Sequence, residues 1–173
     1  RQGTFWFIGL AVAIAFMSTL VVAICYPSHF VSIGFSQADA GLFLMAGGMA
    51  GLAGKLIVAT VIDRFKSKLK FFAIFLLLAQ VMGLIGLLMN DALYPTILSV
   101  MLLGFGGGAF IPMHPILNAG YFDAAIIGRV GGAQMPMMLP LGLLGLPLSG
   151  YVFDQTGSYQ MVFSAVIVMF LIA

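Results

Sequence analysis

The chain alternates long apolar stretches with short polar breaks, and this alternation most limits what it can fold into. In hydrocarbon every backbone N–H and C=O group must find a partner, which a single segment achieves only as a helix. We therefore predict an all-α membrane protein with six transmembrane helices, the last of them truncated. The predicted helices cover residues 5–26, 40–62, 71–89, 93–117, 131–153 and 159–173.

The composition excludes several functional classes. Only 7% of the residues are charged, whereas an ordinary soluble domain has about a quarter. The net charge of +2 is too small to suggest a nucleic-acid partner. Cys25 is the single cysteine, and the sequence holds no pattern of catalytic or metal-binding residues, so we expect neither an enzyme nor a cofactor or metal site.

The two ends of the sequence suggest a fragment. The chain begins with Arg1 rather than Met, and its last apolar run is shorter than the roughly 20 residues that a spanning helix needs. The first apolar stretch is too long for the apolar region of a cleaved signal peptide, which has about 7–15 residues. We expect it to be a permanent span.

Basic residues predict the orientation in the membrane. Residues 63–70 hold four Lys or Arg side chains and the break after the fourth stretch holds Arg129, whereas residues 28–39, 90–91 and 154–160 hold none. Because short cytoplasmic loops retain Lys and Arg, the first two segments should be cytoplasmic. This pattern predicts a multi-pass protein of the cell (inner or plasma) membrane.

A weak internal repeat favours a three-plus-three arrangement of the helices. Shifting the numbering by 91 places one Gly-rich stretch that ends in Asp on another. The first Asp should be cytoplasmic and the second external, as an inverted repeat requires. The superposed residues are Gly41, Gly51, Gly54 and Asp63 on Gly132, Gly142, Gly145 and Asp154.

Residues 54–68 resemble the cytoplasmic loop signature of the major facilitator superfamily, Gly-x-x-x-Asp-Arg-x-Gly-Arg-Arg. Asp63 and Arg64 match it, while Ala59 and Lys66 replace its two glycines. Residues 150–159 are similar to a Gly-x-x-x-Asp-x-Thr-Gly-Ser-Tyr run found before the last helix of many members. The resemblance implies helices seven to twelve of a twelve-helix transporter, that is, the C-terminal half, with an N-terminal six-helix half as its partner.

The resemblance also implies a conformational latch on the cytoplasmic side. Asp63 would meet the N-terminus of a helix that begins near Arg129, and Arg64 would pair with an acid such as Asp123. The alternative is a solvated basic loop that is kept only for orientation.

Lys55 is the most informative single residue. It precedes Asp63 by eight positions, so on a helix it lies about 12 Å inside a hydrocarbon core about 30 Å thick. A lysine at that depth costs about 2.5–3.5 kcal/mol, so we expect it to face a wet cavity or a counter-charge. The alternative is a structural ion pair with a carboxylate of the other half.

In monocarboxylate porters and oxalate/formate antiporters, which the chain resembles here, an arginine at this position meets the substrate carboxylate. The resemblance thus implies a small organic anion, such as a monocarboxylate, as substrate. Gly51 stands where the porters often have an Asp, and residues 131–153 lack the second cation of the antiporters. Coupling to a proton or to a counter-anion therefore stays open.

Four further polar residues interrupt apolar segments. His114, between Pro112 and Pro115, could relay a proton or bind a carboxylate, and Gln134 could line the cavity. An ordinary hydrogen bond between helices is the alternative for His114 and the better interpretation of Gln134 and of Asn118, a second candidate for the cavity wall. We expect His29 at the external membrane interface.

Taken together, the residues and the resemblance predict a secondary transporter of a small organic anion, embedded in the lipid bilayer. A drug or sugar/nucleoside transporter of the same fold is the first alternative. A membrane sensor or assembly module that transports nothing is the second.

Overall fold

The computed structural model describes residues 2–62, 64, 68–89 and 91–173, and these are almost entirely helical. Within them lie eight α-helices and one short 3-10 helix. The helices are α1 (Gln2–Ser32), α2 (Gln37–Val61), α3 (Leu69–Met89), α4 (Leu93–Phe110), α5 (Met113–Tyr121), α6 (Ile127–Gln134), α7 (Leu139–Thr156) and α8 (Gln160–Ile172), with the 3-10 helix at Met135–Met138.

Five segments are long and apolar enough to cross a membrane, which makes the chain an integral, multi-pass membrane protein. They are α1, α2, α3, α4 and the combined run Ile127–Thr156. The sixth apolar helix, α8, is 13 residues long. The all-α prediction is confirmed, whereas the three-plus-three inverted repeat stays a prediction.

The prediction of six helices is wrong, because a proline divides one of the predicted spans. The fourth predicted span ends as α4 at Phe110, and α5 begins at Met113 beyond Pro112, which has no N–H group to donate. The fifth predicted span stays one helical run, Ile127–Thr156, in which Pro136 stands near the start of the 3-10 helix. α1 and α7 each run through a proline, Pro27 and Pro147, and α1 continues to Ser32 instead of ending at residue 26.

α2 begins at Gln37, three residues before the predicted start at residue 40, and Ser36 caps it. The Ser36 hydroxyl accepts a hydrogen bond from the Asp39 backbone N–H at 3.1 Å, and the Ser36 N–H donates to the Asp39 carboxylate at 3.2 Å. This reciprocal pair satisfies two backbone donors that a helix start otherwise leaves without partners.

Glycines bring α2 and α4 into backbone contact. A Cβ atom on Gly51 would lie 2.9 Å from the Gly104 carbonyl oxygen, and one on Gly54 would lie 2.6 Å from the Phe105 oxygen. Substituents on Gly104 and Gly108 would collide with the α2 backbone in turn. These glycines therefore allow the close packing of α2 on α4.

The other face of α4 packs on α3, and α8 packs on α3 and α1. The segment from α6 to α7 lies at the edge of the bundle, and Ser149 is the only buried residue of α7. The bundle therefore has a tight side, formed by α2, α4 and α3, and a loose side, formed by α7.

Candidate functional site

Lys55 lies on a face of α2 that this bundle does not cover. It is exposed, and so are Gly48, Leu52 and Ala59, which share its face at helical spacing. A Cβ atom on Gly48 would meet no atom within 4 Å. Lys55 therefore does not line a cavity between the helices described here, and its ammonium group points out of the bundle.

The residues that the structure describes give Lys55 no ion-pair partner. Among the described residues, Asp39 in the first turn of α2 is sixteen residues away from Lys55, which on a helix corresponds to about 24 Å. Asp63, the carboxylate nearest to Lys55 in sequence, lies outside the described residues.

The helix packing leaves no room for a side chain at Gly51, which stands one turn before Lys55. Because a Cβ atom on Gly51 would lie 2.9 Å from the Gly104 carbonyl oxygen, no larger side chain fits without separating α2 from α4. A proton-carrying carboxylate at this position is incompatible with the α2–α4 contact.

His114 and Gln134 are brought together in a buried cluster of amides, but they bind each other. Gln134 Oε1 lies 2.7 Å from His114 Nε2 and accepts a hydrogen bond from Asn118 Nδ2 at 2.8 Å. Gln134 Nε2 donates to the Phe5 carbonyl oxygen at 2.9 Å. We call these four residues the amide cluster. It joins α5 and the end of α6 to the start of α1.

The Phe5 carbonyl fixes how every group in the amide cluster is oriented. A carbonyl oxygen only accepts, so the Gln134 NH₂ group must face Phe5 and its Oε1 must face His114 and Asn118. His114 Nε2 therefore carries a proton, and the Asn118 NH₂ group must point to Gln134. Asn118 Oδ1 is left buried with no hydrogen-bond partner among the described residues.

Burial limits what the amide cluster does chemically. Gln134 is 0% exposed and His114 is 7% exposed, so neither is open to a substrate in this conformation. Lys55 takes no part in the cluster. The three residues predicted to bind substrate thus fall into two places: a cation on the outer face of α2 and a closed cluster between α1, α5 and α6.

The predicted latch is only partly described. Arg64, Asp123 and Arg129 are exposed, and Arg129 lies in the first turn of α6, as the latch requires. Asp63 lies outside the described residues. The contact of Asp63 with the N-terminus of α6 and the pairing of Arg64 with Asp123 stay predictions.

A hydrogen bond between the half-buried Thr19 and the buried Gln80 was not predicted from the sequence. The Thr19 hydroxyl lies 2.7 Å from Gln80 Oε1 and links α1 to α3, and Gln80 is 0% exposed. Gln80 interrupts an otherwise apolar stretch, residues 71–89, which was the available signal. A hydrogen bond between helices is the use that such a residue most often has in a membrane.

His29, which we expected at the external membrane interface, lies in the last turn of α1 and faces into the bundle. The ring is 2% exposed, and it packs edge-on against Phe163 of α8 with ring centroids 4.9 Å apart. Neither ring nitrogen has a hydrogen-bond partner among the described residues. His29 therefore packs as an aromatic core residue whose ring nitrogens make no hydrogen bond within the described part of the chain.

In the described part of the chain no three His, Cys, Asp or Glu side chains lie close enough together to hold a metal ion. Compared with known proteins, the sequence matches no protein-family model and no curated protein.

Proposed function

We propose that this chain is half of a secondary transporter of the major facilitator type and that it carries a small organic anion, such as a monocarboxylate. The observation that supports this most is Lys55. It is a cation within a membrane-crossing helix, six residues before the end of α2 at Val61, it is exposed on the outer face of that helix, and the described residues give it no counter-charge. Such a group is stable in a membrane only beside water or an anion.

In this proposal a second six-helix half packs against the Lys55 face of α2 and encloses a wet cavity. Small residues at Gly48 and Ala59 would let that half approach closely. The Lys55 ammonium group then attracts the carboxylate of the substrate as a point charge. A single cation suits a monoanion better than a dianion.

The amide cluster has a role in the same proposal. His114 and Gln134 would not touch substrate in the closed state. They would hold the cytoplasmic ends of α1, α5 and α6 together, and release of the Gln134–Phe5 bond would let these ends separate. The proline break before α5 and the 3-10 segment after α6 place flexible backbone on both sides of the cluster. Asp63, Arg64, Asp123 and Arg129 would close the same side.

The test is uptake by the full-length protein in liposomes with a panel of radiolabelled carboxylates. Lys55→Ala should abolish uptake, and Lys55→Arg should retain part of it, since the charge is kept but the donor geometry changes. Lys68→Ala is the matched control, because Lys68 is an exposed lysine outside the spans and its loss should leave uptake unchanged.

The alternatives give different outcomes. Uptake of a sugar, nucleoside or drug, with no carboxylate uptake even when Lys55 is present, would replace the anion by another substrate of the same fold. No flux of any solute would favour a sensor or assembly module. Equal carboxylate uptake by the Lys55→Ala and Lys68→Ala variants would remove Lys55 from the mechanism.

A further inference from the structure

A small polar cavity lies between α1, α3, α4 and α8, away from Lys55 and the amide cluster. It has a volume of about 60 Å³, and the polar side chains in its wall are Thr19, Tyr26 and Gln80. Thr19 and Gln80 lie near the middle of two membrane-crossing helices, α1 and α3. In the bilayer core no bulk water is available to polar groups that lack a partner, so the hydrogen bonds of these three side chains must be met inside the bundle.

Two glycines of α4 leave the space that Thr19 and Gln80 occupy. A Cβ atom on Gly106 would lie 2.6 Å from Gln80 Cγ, and one on Gly107 would lie 2.7 Å from Thr19 Cγ2. Any larger residue at either position would push these side chains aside. The helix packing therefore keeps a polar pair inside the bundle at a place where apolar side chains would fill the room.

The hydrogen bonds of the Thr19–Gln80 pair do not balance. The Thr19 hydroxyl has one proton, but it lies 2.8 Å from the Ala15 carbonyl oxygen and 2.7 Å from Gln80 Oε1, and both of these oxygens only accept. Exchanging the two ends of the Gln80 amide removes this conflict, because the NH₂ group then donates to Thr19. The amide oxygen is then 3.5 Å from the Leu76 carbonyl oxygen and has no donor. Since Gln80 is 0% exposed, that donor must come from the cavity.

The Tyr26 hydroxyl is the third polar group of the cavity. Side chains on a helix lean toward its N-terminus, so Tyr26 leans toward Thr19, which lies two turns before it on α1. The residue is 9% exposed, and its hydroxyl makes no hydrogen bond within the described part of the chain. Tyr26 therefore adds a donor and an acceptor to the same wall as Thr19 and Gln80.

We propose that this cavity binds water, which joins the Tyr26 hydroxyl to the Gln80 amide. Its volume of about 60 Å³ exceeds the roughly 10–15 Å³ that one water molecule requires, and three polar side chains match the about two to four partners of a stable buried water. The water supplies the donor that Gln80 lacks and links α1 to α3 near the middle of both helices. The described lining holds no carboxylate to balance the charge of a metal cation.

This water site is independent of the proposed anion transport. Neither Lys55 nor any residue of the amide cluster contributes to the cavity. The two proposals can therefore fail separately.

The test is hydroxyl-radical labelling by X-ray radiolysis of the full-length protein in lipid nanodiscs, measured at Tyr26 by mass spectrometry. The radicals form from water, so a buried tyrosine is labelled when a water molecule is bound beside it. Thr19→Val and Gln80→Leu each remove a polar partner of the water at nearly constant volume, and we expect both to lose most of the Tyr26 labelling. Thr96→Val is the matched control, since the Thr96 hydroxyl also donates to the carbonyl four residues earlier at 2.8 Å but lies outside the cavity.

Tyr159 is the internal reference, because it is also 9% exposed and lies outside the cavity. Misfolding of a variant would raise the labelling of Tyr159, whereas loss of the water lowers that of Tyr26 alone. The proposal is overturned if wild type and Gln80→Leu label Tyr26 equally, or if Thr96→Val lowers the labelling as much as Thr19→Val. Loss of the wild-type labelling when Na⁺ replaces a large organic cation would also overturn it, because a metal ion would then occupy the cavity.

A double-mutant cycle gives a second measurement that does not depend on labelling. Tyr26→Phe and Gln80→Leu each remove one partner of the water, and no hydrogen bond joins these two residues directly in the described part of the chain. If both side chains bind the same water, the double variant should lower the thermal midpoint by less than the sum of the two single shifts. Additive shifts would show that no molecule connects the two side chains, and they would overturn the proposal.

Discussion

Replacing Gln134 by Leu tests whether the amide cluster holds α1, α5 and α6 together. The change removes contacts of 2.7, 2.8 and 2.9 Å to three different partners. Hydrogen bonds between membrane helices contribute on average about 0.6 kcal/mol each, and a buried donor that loses its partner costs about 1–3 kcal/mol. Phe5 lies within α1, where its carbonyl keeps the intrahelical bond, so only His114 and Asn118 lose their main partner. We expect a loss of about 2–4 kcal/mol of unfolding free energy.

Asn118→Leu is the comparison for Gln134→Leu, because it changes another amide of the same cluster. It removes one donor of the amide cluster, but it also removes Asn118 Oδ1, which is buried without a partner. The two effects oppose each other, so this substitution should cost about 1 kcal/mol or less. Both side chains are buried to a similar degree, at 0% and 1% exposure, so burial alone does not separate them.

The measurement is reversible unfolding in mixed micelles, followed by the helical circular dichroism signal of the full-length protein. A double variant, Gln134→Leu with Asn118→Leu, then gives the coupling between the two amides. If the free energy of unfolding of Gln134→Leu stayed within about 0.5 kcal/mol of wild type, the amide cluster would not hold the helices together. The same would follow if Asn118→Leu lowered the free energy of unfolding as much as Gln134→Leu.

Two further substitutions test packing on the tight side and at His29. Gly51→Ala should lower the free energy of unfolding by about 1–3 kcal/mol, because its Cβ would lie 2.9 Å from the Gly104 oxygen. Gly48→Ala, whose Cβ would meet no atom within 4 Å, should be near neutral. Equal costs for the two substitutions would refute the backbone contact. His29→Phe should leave the thermal midpoint unchanged or raise it, because the ring contact with Phe163 is kept and two nitrogens without hydrogen-bond partners are removed. A marked fall of the midpoint would mean that the imidazole makes a hydrogen bond.

Hydropathy predicted where the helices are, because the requirement for internal backbone hydrogen bonds acts on each segment separately. The start of α2 was also predictable, since Ser36 and Asp39 cap it through local contacts. The break at Pro112 was missed because an apolar stretch keeps its hydropathy whether or not a proline interrupts it. The proline only loosens the helix, and its neighbours decide whether the chain continues.

The site was less predictable, for a different reason. That Lys55 needs an aqueous or charged neighbour follows from its depth, but which face of α2 is covered depends on how α2 meets α4. His114 and Gln134 were singled out from the sequence as polar residues within apolar segments, with a hydrogen bond between helices as one of their possible uses. Their pairing joins side chains twenty positions apart and depends on the Phe5 carbonyl, which no local pattern reveals.

The glycine contact between α2 and α4 also limits how the protein can move. Where two helix backbones are in contact, sliding by a fraction of a turn brings carbonyl oxygens and Cα atoms into collision. α2 and α4 therefore move together as one rigid body. Any conformational change must then bend the chain at the junctions on either side of this helix pair. The nearest junction is formed by Ile111 and Pro112. Spin labels on α2 and α4 should keep a constant separation when the protein changes conformation. The separation of labels on either side of the Ile111–Pro112 junction should change.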